Sequence, residues 1–93
     1  MPDIVKAYGY HIYFWSNENE PLENIHFHIS KKPHQNATKY WILRDGTLRQ
    51  ENNNDNIPAN DLKRIVRFMS NKEQIETVEK KWFEHFGEIS YIQ

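Results

Sequence analysis

The chain has 93 residues, no cysteine, and 12 basic against 13 acidic side chains, for a net charge of −1. This length fits one hydrophobic core and a single domain over residues 1–93. The lack of cysteine excludes a disulfide framework and a cysteine-ligated zinc site and favours a reducing compartment, so we expect a cytoplasmic protein. The balanced charge argues against a broad basic surface for nucleic acid, but it leaves a local basic patch open.

Targeting and cofactor motifs are not found in the sequence. The N-terminal residues MPDIVKAYGY lack a basic segment followed by an apolar run, and no stretch approaches the roughly 18 apolar residues of a membrane span. Glycine-rich phosphate loops, nucleophile elbows and His-Glu-x-x-His helices are missing as well. We therefore expect neither export, membrane contact nor a cofactor.

The first half of the chain reads as strands and loops. Residues 3–8 and 10–15 are rich in β-branched and aromatic types and predict two short strands, or one strand bent at Gly9. Residues 16–24 are polar and contain Pro21, which predicts a loop. Residues 25–30 alternate apolar with polar and predict a half-buried strand. The side chains expected to face the core are Tyr10, Ile12, Phe14, Ile25, Phe27 and Ile29.

A hairpin is predicted in the middle of the chain. Residues 38–43 have high β-propensity, and Asp45-Gly46 suits the positive φ of a tight turn, so residues 47–51 should return antiparallel. Residues 51–56 are too polar to pack and predict a linker.

Two amphipathic helices are predicted to complete the fold. Pro58 suits a first helical turn, Ser70 and Glu73 fit a capping box, and Gly87 suits the position after a helix end. The two apolar stripes are Leu62, Ile65, Val66 and Met69, followed by Ile75, Val78, Trp82, Phe83 and Phe86. The predicted class is α+β, with an antiparallel sheet of four to five strands (residues 3–51) covered on one face by two C-terminal helices (58–69 and 71–86).

Two histidines in the third predicted strand are the candidate functional residues. His26 and His28 must share the face opposite Phe27, roughly 6 to 7 Å apart, and that face should look away from the core. The predicted binding surface consists of His11, Tyr13, Trp15, His26, His28 and Lys39.

This surface admits four interpretations. Exposed tyrosine and tryptophan are enriched where proteins meet partners, which favours a binding surface. Two imidazoles could instead act as acid and base in RNA cleavage, with phosphate held by Lys31, Lys32 and Lys39. They could also bind a divalent metal, with further ligands from His11, His34, Glu20 or Glu23. The fourth interpretation is a sheet face covered by loops or by a homodimer mate.

A basic cluster lies off the apolar stripe of the first predicted helix. Lys63, Arg64 and Arg67 form a solvated face or meet an anionic partner. His85 falls in the last turn of the second predicted helix, where a cation is favoured by the helix dipole.

Several motifs together resemble a known family. They are Met1-Pro2-x-Ile4-Val5, Gly9, Phe14-x-Ser16-Asn17-Glu18, Glu20-Pro21, His26-x-His28, Asn36-Ala37-Thr38-Lys39-Tyr40-Trp41 and Trp82-x-x-x-Phe86-Gly87. In this set the chain resembles the small bacterial domain-of-unknown-function family numbered 4160 over nearly its whole length. The resemblance implies a bacterial or phage cytosolic protein, often encoded beside another small protein in a manner similar to toxin and antitoxin pairs. No activity comes with it.

The leading hypothesis is a non-enzymatic binding module of such a two-component pair, whose partner is a small protein encoded nearby or a nucleic acid. The alternatives are a small ribonuclease-like toxin that uses His26 and His28, and a divalent-metal-binding protein.

Overall fold

A computed structural model describes residues 3–15 and 23–92. A five-stranded antiparallel sheet is followed by two helices, which confirms the predicted α+β class. Residues 16–22 of the predicted loop lie outside the described residues. The strands are β1 (Asp3–Ala7), β2 (Tyr10–Tyr13), β3 (His26–Ser30), β4 (Thr38–Ile42) and β5 (Leu48–Asn52), and the helices are α1 (Ala59–Met69) and α2 (Lys72–Phe86).

Each strand pairs with its sequence neighbour, so the sheet order is β1-β2-β3-β4-β5. β1 and β2 are two separate strands joined by a tight turn in which Tyr8 and Gly9 have φ values of 54° and 84°. The predicted turn at Asp45-Gly46 is confirmed, because Gly46 has a φ of 85° and the amide of Leu43 donates to the carbonyl of Thr47 at 2.8 Å. Antiparallel pairing of each strand with its sequence neighbour makes the sheet a meander.

The core lies between one sheet face and the two helices. All six side chains predicted to face inward are buried there, and they are joined by Ile42, Ile65, Met69, Val78 and Trp82. Complete burial of one large aliphatic or aromatic side chain stabilises a fold by about 1.5 to 3 kcal/mol. The packed face therefore supplies the main stabilisation of this small domain.

The apolar stripe of α1 is confirmed, with Ile65 and Met69 buried and Leu62 and Val66 packed against the core. The prediction for α2 is wrong at Phe83, which is 55% exposed. Successive helical residues differ by about 100° around the axis, so Trp82 and Phe83 cannot both face the sheet. No helix within the described residues is long and apolar enough to cross a membrane.

The predicted capping box is wrong. Ser70 is the C-cap residue that directly follows α1, with φ −77° and ψ −9°, and its hydroxyl donates back to the carbonyl of Val66 at 2.7 Å. An N-cap needs an extended backbone, which Asn71 has, and Asn71 makes no side-chain capping bond. The predicted helix end is confirmed, since Gly87 has a φ of 77° and donates its amide to Phe83.

Candidate functional site

The strand register brings the predicted histidine and aromatic face together on one side of the sheet. His28 lies directly opposite Tyr13 on β2 and Lys39 on β4, and His26 lies opposite Trp41. Directly opposed residues of antiparallel strands share a face. The predicted alternation and the predicted register of β2 are therefore confirmed.

The predicted exposure of this face is wrong for half of its members. His26 and Tyr13 have no accessible surface, and His28 retains only 4%. The remaining members are half-buried, namely His11, Trp15 and Lys39. Alternation along a strand assigns a side chain to a face, but it does not tell whether that face is covered.

Aromatic rings pack directly on both imidazoles. The ring of Tyr13 is stacked on His28 with centroids 5.5 Å apart, and the rings of Trp41 and Trp82 lie edgewise 5.4 and 5.2 Å from His26. Trp82 also contacts Phe14 on the core face, at 5.0 Å. Helix α2 thus reaches the second face at this end of the sheet.

Backbone carbonyls accept hydrogen bonds from the same imidazoles. Nδ1 of His26 donates to the carbonyl of Asn24 at 2.8 Å, and Nδ1 of His28 donates to the carbonyl of Ala37 at 3.3 Å. An acid/base pair must come within hydrogen-bond reach of the substrate hydroxyl. Rings packed and bonded in this way are fitted to hold the sheet together, and they are poorly placed to meet RNA.

A small polar cavity of about 220 Å³ opens beside His28. Lys39 borders it, with its ammonium 3.2 Å from a carboxylate oxygen of Glu23 and 4.3 Å from the ring centroid of Trp41. Glu51 lies at the same cavity and accepts the indole N–H of Trp41 at 2.9 Å. Lys39 and Glu23 pair with each other, and Glu51 leaves the lining with one net negative charge, so the cavity offers no attraction for a phosphate.

A different surface carries cationic side chains that pair with no described carboxylate. We call it the basic band, and it consists of Lys31, Lys32, Lys63, Arg64 and Arg67. All five are exposed, and none of them takes part in an ion pair between described residues. Asn60 and the three basic residues of α1 enclose a concavity of about 360 Å³. The sequence predicted the helical half of this surface.

Tyr10 links the two halves of the basic band. The ammonium of Lys31 lies 5.3 Å from the centre of its ring, and its hydroxyl donates to Asp61 of α1 at 2.9 Å. Burial, followed by the hydrogen bond to Asp61, raises the pKa of Tyr10 above its usual value. Asp61 is the only acidic residue of α1, so the helix carries three basic side chains, Lys63, Arg64 and Arg67, against one carboxylate.

A histidine and an aspartate come together at the end of the band. Nε2 of His34 lies 2.7 Å from a carboxylate oxygen of Asp55. Both residues line a cavity of about 350 Å³ together with Tyr10, Lys31 and Lys32. From the sequence, His34 was identified only as an additional metal ligand, and Asp55 was not identified as a candidate residue. These two residues are 21 positions apart in two loops, and no local pattern connects them.

One exposed aromatic side chain stands at the other end of α1. Tyr8 is 57% exposed in the β1–β2 turn, and its ring meets Phe68 edgewise at 6.4 Å. Phe68 lies one position after Arg67 and four after Arg64 on the helix, so Tyr8 stands next to the basic side chains.

Within residues 3–15 and 23–92, no three metal-ligating side chains come close enough together to hold an ion. Three of the four residues proposed as completing ligands for His26 and His28 are engaged elsewhere, including His34 with Asp55. His11 pairs with Asp3 at 3.4 Å, and Glu23 pairs with Lys39. Glu20 lies outside the described residues.

Comparison with known proteins yields one match. The family described as Domain of unknown function (DUF4160) matches residues 9–82, about four-fifths of the chain. No curated protein and no solved structure matches the chain at a significant level.

Proposed function

We propose that this chain, which belongs to the DUF4160 family, is a binding module. It holds single-stranded nucleic acid along the basic band. The observation that carries the proposal is the solvent-facing side of α1, where Lys63, Arg64 and Arg67 are exposed and have no described carboxylate as a partner. Such unneutralised cations attract phosphates.

The geometry of the band fits a strand of several nucleotides. Residues 60 to 67 span about 10 Å along the helix axis at 1.5 Å per residue. Lys31 and Lys32 extend the surface beyond the first turn of α1, since they line the same cavity as Ile57 and Pro58. A positive track of this length is long enough to contact successive phosphates.

The exposed ring of Tyr8 favours a single strand over a duplex. Unpaired bases stack on aromatic side chains, and each such contact contributes about 1 to 3 kcal/mol. Tyr8 lies beside the basic side chains of α1 through its contact with Phe68. A base of a strand bound along α1 can therefore lie on the Tyr8 ring while its phosphates meet Arg64 and Arg67.

Fluorescence anisotropy with a labelled single-stranded oligonucleotide tests the proposal over a series of salt concentrations. The triple variant Lys63→Gln, Arg64→Gln, Arg67→Gln should bind much more weakly. Because each lost phosphate contact lowers the logarithmic salt slope by about 0.7, the slope should fall by about 2.

A matched control removes the same charge from exposed positions outside the band. It combines Arg49→Gln, Lys72→Gln and Lys80→Gln. Equal weakening in both triple variants would show that only net charge matters and would contradict a defined docking surface. The Tyr8→Asn variant, which suits the positive φ at that turn, should lose affinity with its salt slope unchanged.

A second candidate is a protein partner, as in the two-component pair that the family resemblance implies. The exposed ring of Phe83 on α2 favours it, since an accessible aromatic side chain is a common anchor at protein interfaces. Co-purification from the native host with the Phe83→Ala variant tests this candidate. A partner retained equally by wild type and variant would contradict docking at Phe83.

A further inference from the structure

His34 is an exposed histidine on a loop that is held from below at two points. The buried hydroxyl of Tyr13 donates to the carbonyl of His34 at 2.9 Å and accepts from its amide at 3.1 Å. Backbone groups of surface loops usually lack this degree of fixation. The two bonds therefore hold the backbone of His34 in a fixed position at the rim of the 350 Å³ cavity.

Asp55 fixes the ring itself. Its carboxylate is 16% exposed and lies 2.7 Å from Nε2 of His34. Asp55 is in turn anchored by its amide, which donates to the fully buried hydroxyl of Thr38 at 3.2 Å. A carboxylate that accepts from one ring nitrogen leaves the other, Nδ1, as a proton acceptor.

The cavity also holds the charges that a phosphodiester needs. Lys31 and Lys32 line it beside His34, and Tyr10 forms one wall. Ammonium groups next to a general base stabilise the negative charge that develops on phosphorus during an attack. Because the same lysines belong to the basic band, a strand bound along α1 leads into this cavity.

From this arrangement we propose that His34, oriented by Asp55, is the general base of a metal-independent RNA-cleaving site in the cavity beside Lys31 and Lys32. The inference rests on the proposed function, since the basic band delivers the strand. It also moves the acid/base role from the buried imidazoles of His26 and His28 to the exposed imidazole of His34.

The reaction balances without a co-reactant other than water. Nδ1 of His34 accepts the proton of a 2′-hydroxyl, the 2′-oxygen forms a bond to the adjacent phosphorus, and the bond from phosphorus to the 5′-oxygen breaks. The 5′-oxygen takes a proton from water in the open cavity, and the hydroxide left behind is neutralised by the proton that His34 releases. The products are a 2′,3′-cyclic phosphate and a 5′-hydroxyl.

Two measurements on the full chain separate this inference from the proposed function. Binding is measured by anisotropy with a 2′-O-methyl oligonucleotide, which cannot react. Cleavage is measured with the same sequence as RNA, in the presence of a chelator, by the appearance of 2′,3′-cyclic phosphate ends. Wild type should bind the first and cleave the second.

His34→Ala should lose at least about 100-fold in cleavage, the lower range for a general base, while it still binds the 2′-O-methyl strand. Added imidazole should restore part of its cleavage. Asp55→Asn should cleave more slowly because the ring loses its orientation. His85→Gln, which changes an exposed histidine on α2, should cleave as wild type does.

The outcomes are distinguishable. Wild type that binds but does not cleave, or a His34→Ala variant that cleaves as fast as wild type, overturns the cleavage site and leaves the binding module intact. If wild type does not bind the 2′-O-methyl strand, the proposed function itself is overturned.

Discussion

The hydroxyl of Tyr13 bonds both backbone polar groups of His34, at 2.9 Å to the carbonyl and 3.1 Å from the amide. Tyr13 lies on β2 with no accessible surface, whereas His34 is exposed in the loop between β3 and β4. A single buried phenol therefore couples the sheet to the rim of the 350 Å³ cavity next to the basic band. The consequence can be tested at the hydroxyl alone.

Tyr13→Phe removes that hydroxyl and keeps the ring stacked on His28. Two backbone groups of His34 then lose their partner, so we expect the free energy of unfolding to fall by about 1 to 3 kcal/mol. Urea denaturation measures this change. Amide hydrogen exchange at His34 should accelerate more than exchange in β4, and uniform acceleration would contradict a local anchor.

Trp82→Ala tests the contact of α2 with both sheet faces. Trp82 has no accessible surface and touches the rings of Phe14 and His26, so its truncation should cost about 3 to 5 kcal/mol. The neighbouring Phe83→Ala is the control and should change stability by no more than about 0.5 kcal/mol, because Phe83 is exposed. Thermal and urea unfolding of both variants give the comparison. Equal effects would contradict the assignment of Trp82 to the buried side of α2 and of Phe83 to its exposed side.

Thr38→Val tests the support beneath Asp55. The hydroxyl of Thr38 donates to Asn53 at 2.8 Å and accepts from the amide of Asp55, and the residue is fully buried. Valine has nearly the same shape but satisfies neither group, so we expect a loss of about 1 to 3 kcal/mol in urea denaturation. Thr77→Val removes a hydroxyl that bonds only the preceding helical turn, and it should change stability by no more than about 0.5 kcal/mol.

Alkaline titration tests the environment of Tyr10. Burial and then the hydrogen bond to Asp61 raise its pKa above the value of 10.0 expected in the unfolded chain. The folded state thus holds this proton more tightly than the unfolded state, and the resulting stabilisation is fully present below pH 10.0 and is lost as the pH rises through the folded pKa.

As the pH rises above 10.0, the urea concentration at the midpoint of denaturation should therefore decrease in wild type. This decrease in the midpoint should be smaller in the Tyr10→Phe variant. Some dependence should remain in this variant, because burial raises the pKa of Tyr40 and Tyr91 as well. An identical fall in both proteins would contradict the assignment to Tyr10.

The sequence predicted the fold because its signals are local. Alternation along Ile25, Phe27 and Ile29, the Asp45-Gly46 turn and Gly87 after the second helix each depend on a few neighbouring residues, and the structure confirms all of them. The capping box failed for a related reason. Ser70 satisfies the motif, but its hydroxyl donates a hydrogen bond to the carbonyl of Val66 in the preceding helix.

The candidate site was predicted less well, since burial of a sheet face depends on distant elements. No residue near His26 in the sequence indicates that Trp82 of α2, which is 56 positions later in the chain, packs on its ring. In the same way, no pattern joins His34 to Asp55 or Tyr8 to Phe68. These pairs form only when the loops and helices pack against the sheet.

By itself the sequence determined the α+β class, the strand faces, the apolar stripe of α1 and its basic face, because backbone geometry alone converts residue spacing into direction. Only the tertiary structure decided which histidine meets solvent. It buries His26 and His28 against aromatic rings and leaves His34 exposed at a cavity, because accessibility is set by packing between elements far apart in the chain.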